Sequence, residues 1–268
     1  SDAYFDEDSY LASVNVAHNL ASLYFRAFDE KFIEEIRSYA INYFRKILSN
    51  LGWEPQKSDK HTDALLRTFT ISVLGKMNDD TVTDDAIRKY QKFLKSPSSL
   101  SPDLIETICS IAAWNGNSKT FAELKKLYTN AKTMEEKLRF LGAMCGFQDT
   151  KLLIKTLNFS QTSEVRSQNM QLPIMKIAGN PYGEKVLWPW LKKNWKNINK
   201  KVGHGNPLFN RIVASIAGVA DDSMEKEIKV FFKNNPTPGT ERTQSQTLER
   251  IRINSKFLRT MRKEFKNG

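Results

Sequence analysis

Hydrophobic residues recur at three- and four-residue steps along almost the whole chain. No stretch between turn signals alternates apolar and polar residues with the two-residue period of a half-buried strand. The pattern therefore predicts an all-α protein, with helices near residues 10–28, 31–48, 64–76, 206–219 and 240–265. Short loops between such helices are typical of stacked helical hairpins. Because the sequence has no strict repeat, we expect at most an irregular solenoid.

The densest apolar pattern lies between Asn180 and Trp195. One side of the predicted helix is apolar and is formed by Val186, Leu187, Trp190, Leu191 and Trp195. The other side carries Lys185, Lys192, Lys193 and Lys196. Pro189 lies inside the pattern and should kink the helix unless the helix begins later. We expect the tryptophans to belong to the core.

Helix-start signals recur at short intervals. Thr83 is followed by two aspartates, and Ser101 is followed by a proline at the first helical position. Thr120, Thr133 and Asp222 each precede a glutamate by three residues, which is the spacing of a capping box. These signals predict helices of roughly 10 to 18 residues.

The chain is basic, with 41 lysine and arginine residues against 30 aspartate and glutamate residues and a net charge of +11 at pH 7. The excess is densest at residues 192–201 and 250–266. Such a charge favours nucleic acid or acidic protein segments as partners. Lysine-rich helix faces in contact with water explain the same excess.

Cysteine usage and the absence of targeting signals predict a cytoplasmic location. Cys109 and Cys145 lie in apolar helical surroundings, which favours buried free thiols over a disulfide. No apolar run approaches the roughly 20 residues of a membrane span. The acidic start from Ser1 to Asp8 is unlike a signal peptide.

The sequence offers no catalytic constellation. His18, His61 and His204 are not spaced four apart, so no two of them can share a helix face as zinc ligands. A Gly-x-Ser-x-Gly elbow and a Gly-x-x-x-x-Gly-Lys loop are both missing. We therefore predict no catalytic residue, no metal ligand and no cofactor in this chain.

Four short regions together resemble a known family. They are Leu51-Gly52-Trp53, Val165 to Asn169, Asn180-Pro-Tyr-Gly with the tryptophan-rich helix after it, and the region that leads from Phe231-Phe232-Lys233 to Gln246 through Arg252. Their order across the chain resembles the C-terminal helical domain of zinc aminopeptidases of the alanyl, puromycin-sensitive and endoplasmic-reticulum type. The resemblance implies a right-handed superhelix of antiparallel helix pairs, of the armadillo or HEAT kind.

The resemblance also implies a function. Residues 1–268 would form a single C-terminal domain that lacks roughly its first helical hairpin. The His-Glu-x-x-His motif of the family is missing here, so the zinc and the catalytic domain would lie elsewhere in the parent polypeptide. The parent would be an N-terminal exopeptidase. This chain would pack against its catalytic domain, cover the active-site cleft and shape the access of peptide substrates.

Three basic residues are candidate peptide contacts. Arginine can meet a substrate carboxylate with two parallel hydrogen bonds, and Arg139 and Arg211 lie within apolar helical stretches. Lys137 stands beside Arg139 in sequence. Surface positions, or pairs with a neighbouring helix, explain the same residues. Some relatives have a basic residue where Gly146 stands in this chain. A substrate contact that those relatives make at this position is therefore not expected here.

A second hypothesis is a free-standing basic helical module that binds nucleic acid or acidic protein segments. It rests on the net charge and on Trp188, Trp190 and Trp195 beside a lysine run. Because the same tryptophans follow the apolar stripe, we expect core positions for them rather than a stacking surface.

Overall fold

The computed structural model describes residues 10–203 and 206–267, with the side chains of residues 14–203 and 206–266. His204 lies outside the described residues. The described residues form thirteen α-helices and contain no strand, which confirms the all-α prediction. The chain divides into two compact units, one ending at Ala143 and the other beginning at Met144. The assignment of one domain and the solenoid arrangement stay predictions.

The first unit contains seven helices: α1 (Tyr10–Arg26), α2 (Ile33–Leu51), α3 (His61–Lys76), α4 (Asp80–Lys95), α5 (Pro102–Trp114), α6 (Ser118–Asn130) and α7 (Met134–Ala143). Helix α3 packs against α2 and α5, and α5 also packs against α4 and α7. The core of this unit is apolar and includes Phe44, Leu74, Leu104 and Ile108. Burial of such side chains is the main stabilising contribution to the unit.

A buried arginine holds the loop between α2 and α3. The Arg67 side chain is 1% exposed. Its Nε donates to the Gly52 carbonyl at 3.0 Å, and its Nη2 donates to Asp59 Oδ2 at 2.7 Å. A buried charge is tolerated only when it is paired and hydrogen-bonded. Arg67 therefore has a structural role.

The second unit contains six helices: α8 (Thr150–Ser160), α9 (Gln171–Ala178), α10 (Glu184–Val202), α11 (Pro207–Ser215), α12 (Glu225–Asn234) and α13 (Glu241–Asn267). Helix α11 packs against α9 and α13, and α10 packs against α8 and α9. Pro189 lies inside α10, which continues through it from Glu184 to Val202.

The helix-start predictions are partly confirmed. Helix α5 begins with Pro102. Thr133 and Glu136 form the capping box before α7: the Glu136 amide donates to Thr133 Oγ1 with an N···O distance of 3.2 Å, and the Thr133 amide donates to Glu136 Oε2 at 3.1 Å. The caps predicted at Thr83, Thr120 and Asp222 are wrong. The free amides at these three helix starts donate instead to side-chain oxygens that lie earlier in the chain. These oxygens belong to Asp79, Asn117 and Asp221. Asp79 and Asn117 are stronger caps than the two threonines, and all three observed caps lie nearer the first free amides than the predicted ones.

The two thiols and the remaining histidines have structural positions. Cys109 and Cys145 are free and buried, as predicted. Burial raises the pKa of the Cys109 thiol, so this sulfur is unreactive. His61 begins α3, three residues before the predicted start of this helix. His18 is exposed and stacks on Phe69 with 4.2 Å between ring centroids, so it is packed only on one side.

An ion-pair cluster joins α12 to α13. Glu225 accepts hydrogen bonds from Arg252 at 2.8 and 2.6 Å, and Lys229 lies 2.5 Å from the same carboxylate. The hydrogen bonds from Arg252 and Lys229 lower the pKa of Glu225 from 4.5 to about 2. The ionised carboxylate is therefore favoured in the folded state.

Replacing Glu225 with glutamine is expected to destabilise the chain at neutral pH. A depressed pKa contributes stability above its unfolded value of about 4.5, and this contribution is lost as the pH falls towards about 2. The difference in urea midpoint between Glu225→Gln and the unmodified chain should therefore shrink steadily below pH 4.5. Glu264→Gln, at an exposed glutamate on α13, is the control. A pH-independent difference for Glu225→Gln would contradict the assignment.

Candidate functional site: the start of α10 and the groove beside its end

The turn before α10 is fixed by Asn180. Its side chain is buried and its Nδ2 donates to the carbonyls of Cys145 and Phe147 at 3.0 and 2.9 Å. Its Oδ1 accepts the amide of Tyr182 at 3.0 Å, and the Tyr182 hydroxyl donates to Gln148 at 2.9 Å. Both ends of the carboxamide are therefore used. The Asn-Pro-Tyr-Gly stretch attaches the start of α10 to the segment before α8.

An aromatic cluster follows along α10. Trp188 and Trp195 are 1% and 2% exposed, and Trp190 is 6% exposed. The ring of Trp195 meets three phenylalanine rings edge-on, with centroid distances of 5.1, 5.2 and 5.8 Å to Phe209, Phe231 and Phe232. This geometry is favourable for aromatic pairs. The core prediction for these tryptophans is confirmed, and none of the three offers an exposed face for stacking on a base.

A groove lies beside the C-terminal half of α10, where this helix faces the end of α12. Its volume is about 560 Å³. It is lined by Trp195, Lys196, Asn199, Lys200, Gly203, Asn234, Asn235 and Pro236. No aspartate or glutamate is among these eight residues. The groove therefore offers hydrogen-bond donors and positive charge without an internal counter-charge.

Two of the predicted peptide contacts lie on α7 in the first unit. Arg139 is partly buried, and its Nη2 donates to Glu135 Oε1 at 2.6 Å, one helical turn away. The Lys137 ammonium lies 5.4 Å from the centre of the Tyr128 ring, which is a cation–π distance. Residues two apart on a helix do not face each other. Lys137 and Arg139 therefore do not form a single paired site.

The third predicted contact, Arg211, is exposed on α11 in the second unit. The structure gives it no ion pair with another described residue. It is not among the residues that line the groove beside α10. Sequence reasoning missed Asn199, Asn234 and Asn235 as groove residues. The lysine run from residue 192 was visible, but only folding places the two asparagines at the end of α12 beside it.

The sequence profile of the ERAP1-like C-terminal domain matches residues 1–253. The chain belongs to this family. The resemblance inferred from the four short regions is thereby confirmed. The profile matches nearly the whole chain. It therefore includes all of the first compact unit of this ERAP1-like domain and the second unit as far as residue 253.

Curated relatives of this ERAP1-like domain are named as aminopeptidases. Aminopeptidase M1-D of Oryza sativa subsp. japonica is 28% identical over 97% of this chain and 30% of that protein. Aminopeptidase M1 of Arabidopsis thaliana is 27% identical over 88% of this chain and 27% of its own length. Aminopeptidase 2, mitochondrial, of Saccharomyces cerevisiae is 25% identical over 81% of this chain and 23% of its own length. The chain thus spans less than a third of each of these relatives.

The described residues of this ERAP1-like domain do not fit a zinc ion. Across residues 10–203 and 206–267, no group of three or more His, Cys, Asp and Glu side chains is arranged to hold a metal. Zinc in proteins needs at least three such ligands. The location of the parent's zinc outside this chain stays a prediction. In the same part of the chain, no helix is both long and apolar enough to cross a membrane.

Proposed function

We propose that this chain is the non-catalytic C-terminal domain of a zinc-dependent aminopeptidase, where it covers the active-site cleft and shapes which peptides enter. The observation that carries the proposal is the match of residues 1–253 to the ERAP1-like C-terminal domain. The names of the relatives and the short share of each relative that is matched support it. The zinc and its ligands would belong to the remaining part of the parent polypeptide, which would also be the partner of this chain.

Within this proposal, Lys137, Arg139 and Arg211 meet the carboxylate groups of peptide substrates. One guanidinium nitrogen of Arg139 donates to Glu135, whose side chain is 74% exposed. An ion pair between neighbouring turns of one helix, with its carboxylate open to solvent, is weak, about 0.3–0.5 kcal/mol, so a substrate carboxylate can replace Glu135 at little cost. Arg211 is exposed and is free of a described carboxylate partner. Arginine offers a planar pair of donors that suits a carboxylate.

The first test compares aminopeptidase activity on aminoacyl-coumarin substrates with added zinc. We expect activity from the full-length parent and none from residues 1–268 alone. Zinc-dependent activity in the 268-residue chain would overturn the assignment of a non-catalytic domain.

The second test concerns substrate access and uses the full-length parent. Arg139→Gln and Arg211→Gln, tested singly, should raise KM for peptides about tenfold, the effect of losing one charge-assisted hydrogen bond. Activity on aminoacyl-coumarins should stay unchanged, because these substrates lack a C-terminal carboxylate. Equal losses on both substrate classes would contradict the proposed contact and indicate damage to the fold.

A further inference from the structure

Three lysines form one ridge along α10. Lys192, Lys196 and Lys200 are spaced four residues apart, so they lie on the same side of the helix. The first of them is neutralised. Lys192 forms an ion pair with Glu227 of α12, and its ammonium lies 5.6 Å from the centre of the Trp188 ring. The hydrogen bond and the charge of Lys192 lower the pKa of Glu227.

The other two lysines have no such partner. Across the groove from them, the chain after Glu227 presents Asn234, Asn235 and Pro236 instead of an acid. Neither Lys196 nor Lys200 forms an ion pair with a residue in the described part of the chain. Like charges one turn apart on a helix repel each other. A bound anion would relieve this repulsion.

The groove also contains hydrogen-bond donors that the fold leaves unused. The carboxamides of Asn199 and Asn234 have no hydrogen-bond partner among the described residues, whereas Asn235 donates to the Phe231 carbonyl at 2.9 Å. Trp195 forms part of the wall. Its side chain is 2% exposed, and its Nε1 is buried without a partner among the described residues. Native proteins satisfy nearly all buried polar atoms, so an unused donor in a groove wall agrees with an acceptor supplied by a ligand.

We propose that this groove binds a small molecule that carries carboxylate or phosphate groups. The ammonium groups of Lys196 and Lys200 neutralise the anion, and the carboxamides of Asn199 and Asn234 donate to its oxygens. The edge of Trp195 forms the apolar wall. A volume of about 560 Å³ suits a small organic anion, since ligand sites usually measure roughly 300–1,000 Å³. The proposal does not depend on aminopeptidase function.

The probes are pyrophosphate and citrate, titrated at low salt into the 15N-labelled 268-residue chain. The five indole N–H resonances report on the site, and we expect the Trp195 resonance to shift while those of Trp53 and Trp114 stay in place. A shift with pyrophosphate alone identifies a phosphate ligand, and a shift with citrate alone identifies a carboxylate ligand. The absence of a Trp195 shift with either probe at millimolar concentration would overturn the proposal.

Two variants distinguish binding in the groove from nonspecific attraction of anions to a basic protein. Lys196→Gln with Lys200→Gln removes both ammonium groups, and Asn234→Asp supplies an internal carboxylate that competes with the ligand. Each should weaken binding about tenfold, which is the scale of a lost charge-assisted hydrogen bond. The controls are Lys185→Gln with Lys226→Gln and Asn130→Asp, which make the same changes in charge at exposed positions outside the groove. Equal weakening by the controls would show nonspecific attraction to a basic protein and overturn the proposal.

Discussion

Replacing Trp195 with alanine is expected to lower the free energy of unfolding by about 3–5 kcal/mol, the usual cost of truncating a buried tryptophan. The Trp195 side chain is 2% exposed and makes edge-on contacts with the rings of Phe209, Phe231 and Phe232. These three rings come from α11 and α12, so they cannot all move inwards to fill the cavity. Urea unfolding followed by circular dichroism measures the loss.

Phe257→Ala is the matched control for this truncation. Phe257 lies on α13 in the same unit and is 41% exposed. Its truncation removes less buried area, so we expect a loss of about 1 kcal/mol or less. Equal losses for the two variants would contradict the central packing role of Trp195. Only variants with the same dependence on urea concentration as the unmodified chain can be compared directly.

Replacing Gly183 with alanine is expected to cost about 3 kcal/mol, at the upper end of the usual range for overpacking. A Cβ at this position would lie 2.0 Å from the Ile177 carbonyl oxygen, which belongs to the backbone and cannot rotate away. The backbone angles of Gly183 are φ −69° and ψ −25°, which any residue can adopt. The expected loss therefore comes from space alone. The midpoint of thermal unfolding should fall by several degrees.

Gly179 provides the control, four residues earlier in the same turn region. A Cβ there would lie 3.6 Å from the Lys176 carbonyl oxygen, which is ordinary contact. Its φ of −93° is also compatible with alanine. Gly179→Ala should be neutral or slightly stabilising, because alanine reduces the freedom of the unfolded chain. A large loss at Gly179 would show that the space around this turn is tighter than described. No loss at Gly183 would show that the approach of α9 to the turn is looser than described.

The sequence was sufficient for the fold class and for most helices. The three- and four-residue spacing predicted helices whose bounds agree with α1, α2, α3 and α13 to within a few residues. Local signals were weaker at helix starts. Thr120 has the right spacing to Glu123, but Asn117 lies closer to the free amides and accepts one of them. A capping box is recognised in the sequence by the spacing of two residues. The actual cap is the side chain whose oxygen lies within hydrogen-bond distance of a free amide in the first turn.

Contacts between residues distant in sequence could not be predicted. Asn180 and Cys145 are 35 residues apart, and nothing in either neighbourhood indicates their hydrogen bond. The same holds for Arg67, which is 15 residues from Gly52 in sequence but is buried against the loop there. The candidate peptide contacts at Lys137, Arg139 and Arg211 remain predictions, because the sequence places them on helices but does not identify what they face.

By itself, the sequence determined the all-α class, the burial of the tryptophans on α10 and the family. Each of these follows from residues within one or two helical turns of each other, or from short stretches in a fixed order. Only the tertiary structure decided which lysines of α10 are neutralised. Lys192 meets Glu227, whereas Lys196 and Lys200 lie across a groove from two asparagines. Whether a surface charge is neutralised depends on which helices are neighbours. Here the neighbouring segments are more than thirty residues apart in sequence, so only helix packing brings them together.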